Sequence, residues 1–377
     1  MAIQLPRFLQ WFRSAPVLQS APIDPKGVYP DPGLKDLILF VTDRCNMRCD
    51  HCMFWRRVDN PGEEMTLQQL ERIAHTTPAL RTLAITGGEP FLRKDLNQIV
   101  EIFFRDNQTN HIQVNSNGVL MDRMEELVCQ DYALKYKRHL TYQISLDGLE
   151  DAHDQLRGAP GSFQKIVNNL KRLVELSKEH PYFRVVVLTN VNKNNYHQIE
   201  SVAELLWDQM SVEHTYDLVR GLSFSTWNIP QDIQQPEDPR ECSLPPIDQL
   251  PSILERIKEV NQREGRPFDQ VMRQLEIQVG MYLGKKAPFH CLSAGRTLGV
   301  IYSDGSVTAC EFTTPFAKLD QYDYDLDQLW KSESADQRRE QIKGCHCAHT
   351  CFVLTSLHEW EEQQAACANR STTVIDS

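Results

Sequence analysis

Short apolar runs punctuate the first two thirds of the chain. Leu37-Ile38-Leu39-Phe40-Val41 has no polar interruption, as in a strand buried on both faces of a parallel sheet. Similar runs recur at Thr82–Thr86, His111–Asn115, Tyr142–Leu146 and Arg184–Leu188, with a weaker one at Leu222–Ser225. Between them, apolar residues return every three or four positions in Leu67–Ala74, Leu96–Arg105, Arg123–Cys129, Phe163–Glu179 and Ile199–Gln209. That spacing predicts amphipathic helices. Six strands alternating with helices predict an α/β fold with a parallel sheet and right-handed crossovers. Periodicity alone leaves an open sheet and part of a barrel as alternatives.

The flanks read differently. Residues 1–33 hold six prolines after Leu5, Phe8, Leu9 and Phe12, which fall on one helical face and suit a helix docking on the body or a surface helix. Trp227–Pro251 carries six prolines and several acids and reads as a linker. Two helical stretches follow, Ser252–Arg263 and Phe268–Leu283, and then a cysteine-rich tail. The expected division is an N-terminal extension 1–33, a core domain 34–228, linker and helices 229–285, and a small α+β unit 286–370.

Composition narrows the function. At 377 residues the chain exceeds one ordinary domain, and 41% apolar against 24% charged residues allows a full core. Net charge is −11, so no nucleic-acid partner is expected. With a mean hydropathy of −0.45 and no eighteen-residue apolar run, no transmembrane segment is expected. The start lacks a secretory pattern, so the expected location is cytoplasmic. The eleven cysteines cluster at Cys45–Cys52 and Cys291–Cys367, which suggests metal ligation before disulfides. Cys129 and Cys242 stand alone.

The chemistry sits in loops after the predicted strands, where ligands bind in parallel α/β folds. After the first comes Cys45-Asn46-Met47-Arg48-Cys49-Asp50-His51-Cys52. Three thiolates so spaced can hold three irons of a [4Fe–4S] cluster and leave the fourth open; a zinc site completed by His51 is the alternative. Later ends carry Thr86-Gly87-Gly88-Glu89-Pro90, Asn115-Ser116-Asn117-Gly118, Ser145-Leu146-Asp147-Gly148 with His153 and Arg157-Gly158, and Asn190-Val191-Asn192. Arg157 has the fork geometry for a carboxylate. Tyr216, Asp217 and Arg220 are candidates to line a cavity. No P-loop, dinucleotide fingerprint, nucleophile elbow or His-Glu-x-x-His pair is present.

In that order, these motifs resemble the radical S-adenosylmethionine (radical SAM) enzymes over roughly Asp36–Ser225. The resemblance implies a partial (β/α)6 TIM-like barrel with Cys45, Cys49 and Cys52 on the cluster. S-adenosylmethionine would ligate the open iron through its methionine amino and carboxylate groups. By the same resemblance, Gly87, Gly88, Glu89 and Pro90 meet the amino group. Ser145 and Arg157 meet the carboxylate or ribose, and Asn117 the ribose. Val191 and Asn192 lie near the adenine, and His51 presents its backbone to it.

In the tail, thirteen residues separate Cys291 from Gly305 and four separate Gly305 from Cys310. Leu298–Tyr302 and Val307–Ala309 around Ser303-Asp304-Gly305-Ser306 predict a β-hairpin. This resembles the SPASM/Twitch extension, whose clusters are auxiliary [4Fe–4S] centres. Cys345-x-Cys347-x3-Cys351 departs from its seven-cysteine form, so one auxiliary cluster is expected. Which two of Cys345, Cys347 and Cys351 are ligands stays open, a structural zinc site is the alternative, and Cys367 reads as a free thiol.

The resemblance implies reductive cleavage of S-adenosylmethionine to a 5′-deoxyadenosyl radical, which abstracts a hydrogen atom from a substrate. Oxidation, epimerisation, rearrangement or bond formation would follow. A small biosynthetic metabolite is the expected substrate, and maturation of a precursor peptide the alternative. The expected partner is a one-electron reductant such as flavodoxin or ferredoxin. A non-catalytic iron–sulfur or zinc interaction protein is the reading from another class.

Overall fold

The computed structural model describes residues 33–265 and 270–372, with side chains to 365. Leu5, Phe8, Leu9 and Phe12, the expected helix start at Phe268 and the Cys367 side chain lie outside the described residues.

Six parallel strands, β1 (Asp36–Thr42), β2 (Thr82–Gly87), β3 (His111–Ser116), β4 (His139–Ser145), β5 (Phe183–Val191) and β6 (Glu213–Leu218), lie side by side in chain order. Helices Leu67–Thr76, Leu96–Ile102, Met121–Cys129, Ser162–Glu179 and Ile199–Ala203 cross between them. Unbroken order is the mark of winding in one direction. A doubly wound sheet reverses its order at a switch point, so the open alternative falls and the partial barrel stands.

The sixth strand is not where the apolar pattern placed it. Leu222–Ser225 is a short helix, and Glu213–Leu218 is the strand. In Glu-His-Thr-Tyr-Asp-Leu the buried side is carried by His214, Tyr216 and Leu218. Two of these have polar ends, so hydrophobicity alone passes over the strand.

β1 shows why its sequence is apolar throughout. Leu37, Leu39 and Val41 join the core between sheet and helices. Ile38 and Phe40 face a second core with Val300, Tyr302, Phe312, Cys310, Cys345 and Cys347. The C-terminal segment supplies that core. β7 (Thr226–Trp227) follows the barrel, and β8 (Leu298–Ile301) runs parallel to β1 from Asp36↔Leu298 to Leu39↔Ile301. β9 (Ser306–Thr308) returns antiparallel through a turn with Gly305 at φ 80°, and β10 (Ala317–Lys318) pairs with β9. The cysteine-rich tail thus prolongs the barrel sheet past its first strand. β11 (His346–Cys347) pairs with β7.

The proline-rich stretch is packed. Ile233, Gln235, Glu237 and Cys242 are buried. The Gln235 N–H donates to Phe312 O at 3.0 Å and the Glu241 N–H to Asp50 O at 3.1 Å, so this segment joins the first cysteine loop to the tail. Helices Leu250–Arg263 and Gln270–Tyr282 follow. Among the described residues no helix is long and apolar enough to cross a membrane.

Candidate functional site: two cysteine clusters at the barrel mouth

The loop after β1 carries Cys45, Cys49 and Cys52 and is gripped from two sides. A Cβ on Gly87 would lie 2.1 Å from Thr42 O, and one on Gly88 would lie 2.1 Å from Arg44 O. Only glycine permits that approach, and Gly87 also has φ 137°. The N–H groups of Gly88 and Glu89 donate to Thr42 O and Arg44 O, both at 2.8 Å. From the other side, a Cβ on Gly158 would lie 2.6 Å from Arg48 O. The Asp50 N–H donates to Leu156 O at 2.9 Å.

Glu89 is a buried tie. Its Oε1 accepts from Phe91 N–H at 3.1 Å and from the Ser116 hydroxyl at 2.9 Å, and its Oε2 accepts from Asn117 N–H at 2.8 Å. Burial raises its pKa to about 7 although these donors oppose the rise. Asn117 Nδ2 donates to Asn46 Oδ1 at 2.8 Å. The ends of β2 and β3 and the cysteine loop are one hydrogen-bonded assembly. Pro90 is buried and starts the short helical turn after it.

Asp147 anchors the charge. It is fully buried and paired with Arg157, accepts from the Asn190 N–H at 2.7 Å and lies 3.4 Å from His51 Nε2. Burial pushes its carboxyl up, and Arg157, the two neighbouring histidines and the Asn190 N–H together outweigh this and hold it below the usual range. Burial pulls His51 and His153 down to about 4, so both are neutral imidazoles near pH 7. Arg157 also points a nitrogen at Cys49 Sγ, at 3.7 Å. The expected fork for a ligand carboxylate therefore already holds a carboxylate of the protein and a thiol of the loop.

The structure brings Cys45, Cys49, Cys52, His51, Gly87–Pro90, Asn117 and Arg157 together. Ser145 ends β4 half-buried. Val191 and Asn192 are placed otherwise. The Val191 side chain is in the core with Tyr216 and Leu218, and the Asn192 amide bonds Asn190 O at 2.8 Å and Asn194 N–H at 2.9 Å within its own turn. Their main chain is engaged as well: Asn192 N–H donates to Asn195 Oδ1 at 2.8 Å, and Val191 O accepts from Val219 N–H at 2.9 Å.

The three thiols fit an iron–sulfur cluster. They form no disulfide, and burial, opposed in part by Arg157, raises Cys45 to about 11 and Cys52 to about 12. Three soft donors gathered where a bare thiolate is disfavoured suit a cationic centre that supplies the missing charge.

Below them, the inward residues of β3 and β4 are polar. Gln113 Nε2 donates to Gln143 Oε1 at 2.7 Å and to Asn115 Oδ1 at 2.8 Å, and His111 Nε2 lies 2.9 Å from the Thr141 hydroxyl. The alternate residues Ile112, Val114, Leu140 and Tyr142 face the helices.

The second constellation also assembles. Cys291, Cys310, Cys345 and Cys347 interact electrostatically in all six pairs. Hydrogen bonding from Cys345 makes Cys291 the most acidic of them, and the Cys291 N–H donates to Cys345 O at 2.9 Å. Cys351 feels this group through the charge of Cys347, and the charges acting on it most strongly are those of Arg220, Glu311 and Asp217. Four mutually adjacent thiols are the number a closed cubane requires. Sequence reasoning missed Glu311, His349 and Thr350; their one signal was adjacency to Cys310, Cys347 and Cys351.

Residues 39–206 match the Radical SAM superfamily. The probable GTP 3′,8-cyclase of Archaeoglobus fulgidus is 31% identical over 166 residues, 44% of this chain and 53% of that protein. The sporulation killing factor maturation protein SkfB of Bacillus subtilis is 30% identical over 168 residues, 44% of this chain and 38% of that protein. This chain thus spans about half or less of the length of these curated relatives. Among solved structures, SuiB of Streptococcus suis bound to precursor peptide SuiA aligns with a TM-score of 0.55 at 14% identity, covering 80% of this chain and 65% of that one. That likeness bears on the fold and reaches well beyond the barrel core.

Proposed function

With residues 39–206 matching the Radical SAM superfamily, we propose that this chain cleaves S-adenosylmethionine reductively and abstracts a hydrogen atom from a bound substrate. The carrying observation is the clamped loop around Cys45, Cys49 and Cys52, whose backbone at Thr42, Arg44 and Arg48 lies against Gly87, Gly88 and Gly158. Cys45, Cys49 and Cys52 would hold a [4Fe–4S] cluster, and the chemistry it would supply is the one electron that cleaves the sulfonium C–S bond to methionine and a 5′-deoxyadenosyl radical. The turn Gly87–Pro90 offers its main chain to the amino end of S-adenosylmethionine. Ser145 and Asn117 are assigned to carboxylate and ribose, His51 presents its backbone to the adenine, and Val191 and Asn192 lie near it. Arg157 offsets the negative charge gathered by Asp147 and the thiolates.

In this reading Cys291, Cys310, Cys345 and Cys347 hold one auxiliary [4Fe–4S] cluster within the unit 286–370. A low-potential carrier such as flavodoxin or ferredoxin delivers the electron in the cytoplasm. The amides of Gln113, Asn115 and Gln143 suit a small polar metabolite rich in hydrogen-bonding groups. A peptide substrate is the second reading, favoured by the similarity to SkfB, a maturation protein by name. A non-catalytic scaffold has no need of a loop held so closely against a Gly-Gly-Glu-Pro turn.

The test is formation of 5′-deoxyadenosine by anoxically reconstituted, dithionite-reduced protein. We expect it from the native chain and not from the Cys45→Ala/Cys49→Ala/Cys52→Ala variant. Equal yields from both reject the assignment.

A further inference from the structure

A buried charged group lies where the end of β6 meets the last helix, and the reading above gives it no role. The Arg220 guanidinium is 3.9 Å from Glu311, 3.4 Å from His349 Nδ1 and 3.9 Å from Cys351 Sγ. Glu311 and His349 are 2% and 0% exposed and pair with each other. On the far side, Asp217 interacts with Arg220 and binds the Thr350 hydroxyl.

The hydrogen bonds fix the imidazole. Nδ1 accepts from Arg220, so Nε2 carries the hydrogen and faces Glu311 across the ion-pair contact. The donor atoms of Glu311, His349 and Cys351 lie within 4.8 Å of one another, but the cation that faces them is Arg220. The fold makes the same arrangement at the first cysteine loop, where Arg157 pairs with Asp147 and points at Cys49 Sγ, 3.7 Å away. At both places an arginine is fixed by a carboxylate and aimed at a cysteine sulfur.

A buried ion pair seldom stabilises a fold more than well-packed apolar residues would. Its distinctive physical effect is a fixed charge in a medium of low polarisability, felt by whatever changes charge nearby. Arg220 also acts on Cys347 of the four-thiol group, and Glu311 follows Cys310 directly.

We propose that Arg220, held by Glu311 and His349, is a positioning residue that raises the reduction potential of a cluster bound by Cys291, Cys310, Cys345 and Cys347. A cation fixed near a cluster favours the more negative, reduced state, and the Glu311 carboxylate next to Cys310 opposes it. The inference rests on the auxiliary-cluster reading above.

The experiment uses the full chain with Cys45, Cys49 and Cys52 replaced by Ala, so that one centre remains. It is reconstituted with iron and sulfide under anoxia and titrated redox-wise with electron paramagnetic resonance detection. About four irons per chain establish the auxiliary centre; none would overturn that reading itself. With the centre present, Arg220→Gln should lower the midpoint potential and Glu311→Gln should raise it. Arg220→Lys, which keeps the charge without the fork, should shift it less than Gln does. If Arg220→Gln does not load, Arg220→Gln/Glu311→Gln is compared with Glu311→Gln. The double variant should have the lower potential, because only the arginine charge separates the two. Unshifted potentials, or shifts of one sign in both single variants, overturn the proposal.

Discussion

Arg157 and Asp147 show how one charge pair supports the first cysteine loop. Asp147 is fully buried, and Arg157 is its cationic partner as well as a neighbour of Cys49. Removing the arginine leaves a carboxylate with no ion-pair partner in a dry site, an effect typically of about 3–5 kcal/mol. Arg157→Met should therefore lower the unfolding free energy of the cluster-free protein by about that amount. Adding Asp147→Asn, which keeps an acceptor for the Asn190 N–H, should restore more than half of it. Urea titration at constant pH measures both, and equal stabilities of the single and double variants would contradict the charge argument. The arginine was legible as a motif position, because Arg157-Gly158 follows β4 at a recognisable place. Its partner was not, because Asp147 reads as part of a strand end until the fold turns its side chain toward residue 157. Glu311 and His349 were hidden for the same reason, being far from Arg220 in sequence.

At the scale of elements, β1 is the strand both cores share. Its Phe40 ring packs 4.7 Å from Phe54 and 4.9 Å from Tyr302, centroid to centroid. Phe54 lies two residues past Cys52, and Tyr302 closes β8. Phe40→Ala should destabilise by about 3–5 kcal/mol, the usual range for a buried phenylalanine, and should also loosen the loop end that carries Cys52. Denaturant unfolding followed by tryptophan fluorescence decides this; a loss under about 1 kcal/mol would mean that the second core does not depend on β1. The uninterrupted apolar run of β1 gave the strand away but not its second partner, since nothing local says whether helices or another sheet segment cover a face. β6 failed in the opposite sense. Its lumen side, Glu213, Thr215 and Asp217, is polar as in β3, but its buried side carries His214 and Tyr216 where β3 has Ile112 and Val114, so the strand lacks the apolar positions that marked the others. Periodicity reports the environment of each face, and it gave five parallel strands where both environments were familiar. Consecutive strand order, the one fact that separates a barrel from an open sheet, is a long-range property without a local sign.

For the whole molecule, the sequence suggested a core domain 34–228 and a small α+β unit 286–370, and one sheet runs through both. β8 pairs with β1 along four residues, and the tail covers Ile38, Phe40 and Met53 with Phe312, Phe352 and the cysteines of the second group. Without it, β1 would be an edge strand with a row of unsatisfied N–H and C=O groups beside an uncovered apolar face. The proline-rich stretch would lose its bond to Phe312 O and with it one support of the first cysteine loop. A chain ending at residue 290 should therefore fail to form a stable barrel even though it keeps all six barrel strands and Cys45, Cys49 and Cys52. Size-exclusion chromatography should find it aggregated, and reconstitution should leave it far below the four irons of one cluster. A monomeric fragment that unfolds cooperatively and binds about four irons would show instead that the barrel stands alone and that the tail only rests against it.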